Sequence, residues 1–246
     1  MAKQTGILPL TGTLDGISFY MRKGKPVARK AGGGFTAKAM KNSPSMIRVR
    51  ENSTEFGNVS RVKKIFKNSL FPFFGMQKDE TLHSRMMQLF LKIKDCDISS
   101  ERGKRQVGNG LLTDEGKQLL TSFDFTPLPL PFPTGAYDAA TFIYSVTDLD
   151  PNVLAFRNGA THLEVRLGVL VFDFEELKVT LFASEPLIIA QATPLSNFSL
   201  APAETPAGNG LRISVLGYRY VQELNGAFYP LKDKMVYGLR VLEISD

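Results

Sequence analysis

The chain of 246 residues has no tryptophan, one cysteine and two histidines. The lone Cys96 excludes an internal disulfide framework and any zinc centre built on several thiolates. Its neighbours Asp95 and Asp97 should raise the thiol pKa, which argues against a reactive thiolate. His83 and His162 fall in segments of different character, so a shared metal site or a histidine base beside a nucleophile is not expected. No stretch approaches ~18 uninterrupted apolar residues, the length a transmembrane helix needs. Met1 to Leu10 carries one positive charge and no long apolar run, so no secretory signal is expected. That reading implies synthesis in the cytoplasm and leaves release into an extracellular fibre or particle open.

The motifs of common chemistries are also missing. Gly32-Gly33-Gly34 and Gly108-Asn109-Gly110 have neither the spacing of a dinucleotide site nor the Lys-Ser/Thr of a phosphate loop. Asp148-Leu149-Asp150-Pro151-Asn152 lacks the remainder of a calcium loop. Glu175 and Glu176 are adjacent in a turn, whereas glycosidase carboxylates face each other across a cleft. No catalytic residue, metal, cofactor or small-molecule substrate is therefore expected, and the chain reads as a non-enzyme.

What is present is an uneven charge. Residues 1–50 carry ten Lys/Arg against the single acid Asp15, a net of +9 in a chain whose total is +6. Residues 111–246 reverse the balance, with 9 basic and 16 acidic side chains. Opposite fields of this kind steer encounter and fix orientation between molecules. Apolar residues make up 43% of the chain and aromatics 10%, as in a globular protein.

The segments follow from periodicity. Ile17, Phe19 and Met21 alternate with Ser18, Tyr20 and Arg22, and turn residues flank them at Thr11–Gly16 and Lys23–Lys25. Residues 1–34 thus read as a basic β arm closed by a glycine linker. Residues 35–123 read as helical. Ser43-Pro44 opens a helix whose apolar stripe is Met46, Val49, Phe56, Val59, Val62, Ile65, Phe66 and Leu70. Asp79 opens a second, with Leu82, Met86, Leu89, Phe90 and Ile93 on one face. Ser99 to Gly110 reads as a loop, and Thr113 to Phe123 as a short helix. After the proline-rich 126–133, the period becomes two. Residues 163–171, 177–181, 186–190, 213–221 and 227–229 read as strands, with 173–176 a turn, 192–210 a long loop and Asn225-Gly226 a hairpin turn. Met235 to Ile244 is so continuously apolar that it reads as a central strand. The fold class is α+β: an N-terminal β arm and helical hairpin, then an antiparallel β-sandwich over 124–246.

The runs Gly6-Ile7-Leu8-Pro9-Leu10-Thr11-Gly12-Thr13-Leu14-Asp15-Gly16-Ile17-Ser18-Phe19-Tyr20, Arg29 to Gly34 and Arg48 to Gly57 resemble a set of mostly uncharacterised proteins common in Bacteroidota. The resemblance covers roughly residues 6–66. It implies a link to phage-derived or self-assembling structural proteins and transfers no catalytic residues.

The expected function is a self-assembling structural subunit of a filament, fibre or virion-like particle. The arm would add as a strand to a neighbour's sheet, with Ile7, Leu8, Leu10, Leu14, Ile17, Phe19 and Val27 at the subunit interface. The partner is then a second copy of the chain. The alternative is a nucleic-acid-binding accessory protein. Its footprint would be a basic patch of Arg22, Lys23, Lys25, Arg29, Lys30, Arg48, Arg50, Arg61, Lys63 and Lys64.

Overall fold

Period-two alternation builds the N-terminal strands, and two-residue turns close them. In the computed structural model, which describes residues 2–3, 10–31, 36–74, 79–126, 135–154, 156, 159–193, 195–231 and 237–245, these strands are β1 (Ala2–Lys3), β2 (Gly12–Leu14), β3 (Ile17–Arg22) and β4 (Lys25–Lys30). They form one antiparallel sheet in the order β1-β4-β3-β2. Both turns place two consecutive residues at positive φ: Asp15 at 45° with Gly16 at 73°, and Lys23 at 49° with Gly24 at 73°. This is the turn whose twist matches that of the flanking strands, and glycine occupies its second position without strain. Next comes α1 (Ala37–Asn42), capped by the Thr36 side chain. Contacts divide the chain into two units, Met1–Arg50 and Glu51–Asp246.

The second unit is built around a six-stranded antiparallel sheet. Its long central strands are β7 (His162–Asp173) and β11 (Leu211–Leu224). β8 (Lys178–Ala183) and β9 (Leu187–Ala190) share the outer side of β7. β12 (Ala227–Pro230) and β13 (Tyr237–Ser245) share the outer side of β11. A three-stranded sheet of β5 (Ala136–Asp138), β6 (Ile143–Val146) and β10 (Phe198–Leu200) is also antiparallel.

Alternation along β7 and β11 sorts residues into two cores. Leu163, Val165, Leu167, Leu216, Tyr218 and Tyr220 pack with Tyr144, Val146 and Leu200 of the small sheet. The Tyr137 hydroxyl reaches the Ser214 hydroxyl at 2.5 Å across that layer. Leu170, Phe172, Ile213 and Val215 face the other way, into a core shared with the helices. Those helices are α2 (Ile47–Ser69), α3 (Phe71–Phe74), α4 (Leu82–Asp95), α5 (Val107–Leu111) and α6 (Asp114–Thr121). The helical and strand segments of residues 51–246 therefore share one hydrophobic core.

Two glycines make room for one aromatic ring. A Cβ on Gly168 would lie 2.5 Å from Phe73 Cζ, and one on Gly217 would lie 2.5 Å from Phe73 Cδ1. Phe73 thus sits on bare backbone of adjacent strands. Gly217→Ala should cost about 1–3 kcal/mol through overpacking. Chemical denaturation checks this, and a Phe73→Leu background should shrink the cost.

Polar groups fix the helices to one another. Glu55, on the buried stripe of α2, accepts from Lys94 Nζ at 2.8 Å, from Gly103 N–H at 2.7 Å, and from Arg105 Nε at 2.8 Å and Nη2 at 2.9 Å. Asp97 is buried and accepts from the N–H groups of Ser99, Ser100 and Gln106 and from Asn109 Nδ2. Burial pushes the Asp97 carboxyl up, but these hydrogen bonds outweigh it and hold it well below the usual carboxylate range.

The structure corrects several expectations. The stripe of α2 does not include Phe56, which is 52% exposed; Glu55 takes the inward position because four donors satisfy it. β13 is an outer strand, paired with β11 alone among the described residues. Tyr237, Leu239, Val241 and Ile244 belong to the helix-side core, while Leu242 packs on the small-sheet side. Burial on both faces gives an outer strand the apolar run of a central one. The segments 99–110 and 192–210 read as loops yet contain α5 and β10.

Candidate assembly interface

The register of the arm strands fixes which side chains share a face. Leu14 lies opposite Ile17, Phe19 opposite Ala28, and Met21 opposite Pro26. With successive side chains pointing to opposite faces, Leu14, Ile17, Phe19, Met21, Pro26 and Ala28 line one side. Thr13, Ser18, Tyr20, Arg22, Lys25, Val27 and Arg29 line the other. The arm is an amphipathic sheet with one apolar and one basic face.

The apolar face is bare. Leu14 is 66% exposed, Met21 49% and Ile17 42%, while Phe19 and Ala28 are half-buried. Neither α1 nor the 3-10 turn Pro44–Met46 buries a residue. Among the described residues of Met1–Arg50, none is buried. A sheet of this size with no cover gains little from the hydrophobic effect by itself.

The expected interface residues distribute accordingly. Leu14, Ile17 and Phe19 come together on the apolar face, and Leu10 is exposed at the lead-in to β2. Val27 does not join them: it lies opposite Tyr20 on the basic face. Ile7 and Leu8 lie outside the described residues. Met21 shares this face by the alternation of β3, and the pairing of β3 with β4 adds Pro26 and Ala28.

The expected basic patch divides. Arg22 and Lys25 form an exposed cross-strand pair, and Arg29 lies 5.5 Å over the Tyr20 ring on the same face. Lys23 sits in the adjoining turn, and Lys30 lies opposite Ile17 on the apolar side. Arg48 is exposed, and Arg50 donates to the carbonyls of Met40 and Ser43 at 2.8 and 3.0 Å, tying α1 to the start of α2. In the second unit, Arg61 and Lys64 are exposed.

Lys63 is a correction. It is 3% exposed, and its Nζ lies 3.0 Å from His83 Nδ1. Burial pushes its pKa down, and the Lys67 charge adds to that. The aliphatic stem of Lys63 packs on this helix face while the His83 ring meets its head. A charged group in this position is unfavourable to the fold. Lys63→Met should therefore leave the fold equally stable or raise it by up to about 1 kcal/mol, read as an unchanged or higher denaturation midpoint.

Among the described residues, no group of three His, Cys, Asp or Glu could hold a metal ion. Cys96 is buried, and burial, then Glu115 and Asp95, raise its pKa. No helix among the described residues is long and apolar enough to cross a membrane. No protein-family model, curated protein or solved structure matches the chain.

Proposed function

We propose that this protein is a self-assembling structural subunit whose N-terminal β arm joins one copy to the next. The observation that carries the reading is the bare apolar face of Leu14, Ile17, Phe19 and Met21 on a sheet whose unit has no buried residue among those described. Such a surface gains stability when another chain covers it, by ~25 cal/mol for each Å² of apolar area removed from water. Charge supports the same partner. The arm unit carries +9, so the remainder of the chain is net negative, and a second copy offers the complementary field. A contact between unlike patches closes into a ring or extends into a filament according to its rotation. Sedimentation of the purified chain at increasing concentration tests the proposal. It predicts growth into large species, and a chain monomeric at all concentrations and at physiological salt would refute it.

A second reading draws on the opposite face. Tyr20, Arg22, Lys25 and Arg29 align exposed cations around a ring, a combination that suits single-stranded nucleic acid. It predicts binding to a mixed-sequence oligonucleotide that weakens steeply with salt. Each phosphate contact contributes a slope of roughly −0.7 in log affinity against log salt for a single strand.

A further inference from the structure

The outer edge of β13 offers a place for a strand. β13 spans Tyr237–Ser245 and pairs with β11 on one side only among the described residues. From Gly238 to Ser245 its backbone has a sheet partner on that side alone, so alternate N–H and C=O groups point outward. A cleft of about 460 Å³ runs along this edge. Five consecutive residues, Gly238 to Leu242, form one wall, and Ser122, Phe123 and Asp124 contribute to the other. That second wall is held in place: Arg85 donates to the carbonyls of Asp124 at 2.5 Å and Phe125 at 3.2 Å, and its guanidinium lies 5.6 Å over the Phe123 ring.

The other outer edges of this sheet are poorer acceptors. β12 has four residues and ends in Pro230, which cannot donate to a ladder. β9 also has four. The last residue of β8, Ala183, already accepts from Ala203 N–H at 3.0 Å. β13 is the longest, at nine residues. Long unpaired edges template pairing with another chain unless they are blunted.

We infer that the outer edge of residues 238–245, which no strand among the described residues pairs and which lies in the cleft walled by residues 122–124, accepts the outer arm strand β2 of a second copy. This rests on the reading that the arm drives self-association, and it names the acceptor. β2 is itself an edge strand, paired with β3 alone among the described residues. Added at ~4.8 Å from β13, it makes one continuous sheet across two subunits. Leu14 then falls in line with Leu239 and Val241 on the helix side of β13, and Ile17, Phe19 and Met21 of the incoming sheet continue that layer past Phe123. The exposed carboxylates of Asp124 and Glu243 flank the edge and meet a partner unit of charge +9, beside the cations Arg240 and Arg85.

Cross-linking between differently marked chains tests this. Thr13→Cys is placed on one chain and Arg240→Cys on another; both positions are exposed, Thr13 lies on the face opposite Leu14 as Arg240 lies on the face opposite Leu239, and the native Cys96 is buried. The two are mixed and treated with a short bismaleimide beside a control pairing of Thr13→Cys with Lys178→Cys on β8. Mixed dimer should exceed the control by on the order of tenfold, because a bound complex raises the effective concentration of the two thiols. Assembly that persists with no excess at Arg240 overturns the acceptor assignment and leaves self-association standing. A cross-link that forms only when both cysteines share one chain shows the arm folding back on its own body and overturns the exchange. Chains that stay monomeric with no cross-link overturn both readings.

Discussion

Replacing Ile17 and Met21 together by glutamate should abolish assembly while the monomer stays folded. Both side chains are exposed, so neither carboxylate is buried by folding. In an assembled contact both would be covered. Burying an unpaired carboxylate costs several kcal/mol, and the lost apolar burial adds about 1.5–3 kcal/mol for each side chain. Since about 1.4 kcal/mol is a factor of ten, association should weaken by at least about 100-fold. Sedimentation velocity reads the change directly, and circular dichroism with an unchanged melting transition shows that the fold survived. Lowering the positive charge of the opposite face by Arg22→Gln with Lys25→Gln gives the contrast. It should slow association and reduce its salt dependence more than it lowers affinity. Were the nucleic-acid reading correct, those two changes would weaken oligonucleotide binding and the glutamates would matter less.

Glu55→Ala should be the most damaging single substitution in the helical layer. It would leave the buried Lys94 and the half-buried Arg105 with the exposed Asp95 carboxylate, at 2.6 and 2.8 Å, but without the buried one that receives both. Breaking a buried pair by removing one partner costs about 3–5 kcal/mol, and the Asp95 contacts hold this loss near the lower end. For a protein of this size that is a fall of roughly 6–12 °C in melting temperature. The same site predicts an acid response. The Arg105 guanidinium, working against burial and aided by Lys94 and the Gly103 N–H, lowers the Glu55 pKa from 4.5 to about 2. A folded-state pKa below the unfolded one means that the unfolded chain binds the proton first. The stability from Glu55 is therefore complete above the unfolded value and is lost as pH falls from about 4.5 towards 2. Urea midpoints measured across that window should fall steeply for the native chain. The slope should be shallower for Glu55→Gln, which has no carboxylate to protonate. Parallel slopes would show that Glu55 is not held in this network.

Much of this architecture is legible in the residues, and the failures have physical causes. The arm strands were readable because Asp15-Gly16 and Lys23-Gly24 bracket a clean alternation, and Asn225-Gly226 marks its hairpin for the same reason. α4 was readable from its three- and four-residue spacing. The small sheet was not: β5 and β10 have three residues each, too few to show a period, and β10 sits among Pro, Ala, Gly and Asn. α5 hid because its sequence Val-Gly-Asn-Gly-Leu is that of a turn, and packing overrides its propensity. Position 55 was lost for a different reason. Periodicity ranks phenylalanine over glutamate, while the fold buries Glu55 because Lys94 and Arg105, 39 and 50 residues away, satisfy it.

The candidate interface was legible in part. That residues 1–34 are basic, strand-forming and short of cover could be read directly, but the division into faces could not. Val27 follows the hairpin and looks equivalent to Ile17 and Phe19, yet the register with Tyr20 turns it to the basic side. One residue of register moves a side chain from one face to the other. The open edge of β13 was hidden by its own burial, since strands covered on both faces lose the polar alternation that marks an outer position.

The most direct measurement is negative-stain electron microscopy of the full chain beside a chain starting at residue 35. If the arm joins the subunits, the full chain should show regular filaments, fibres or particles, and the shortened chain only small, uniform single molecules. Small, uniform particles from both would contradict the account, as would regular assemblies that persist without the arm.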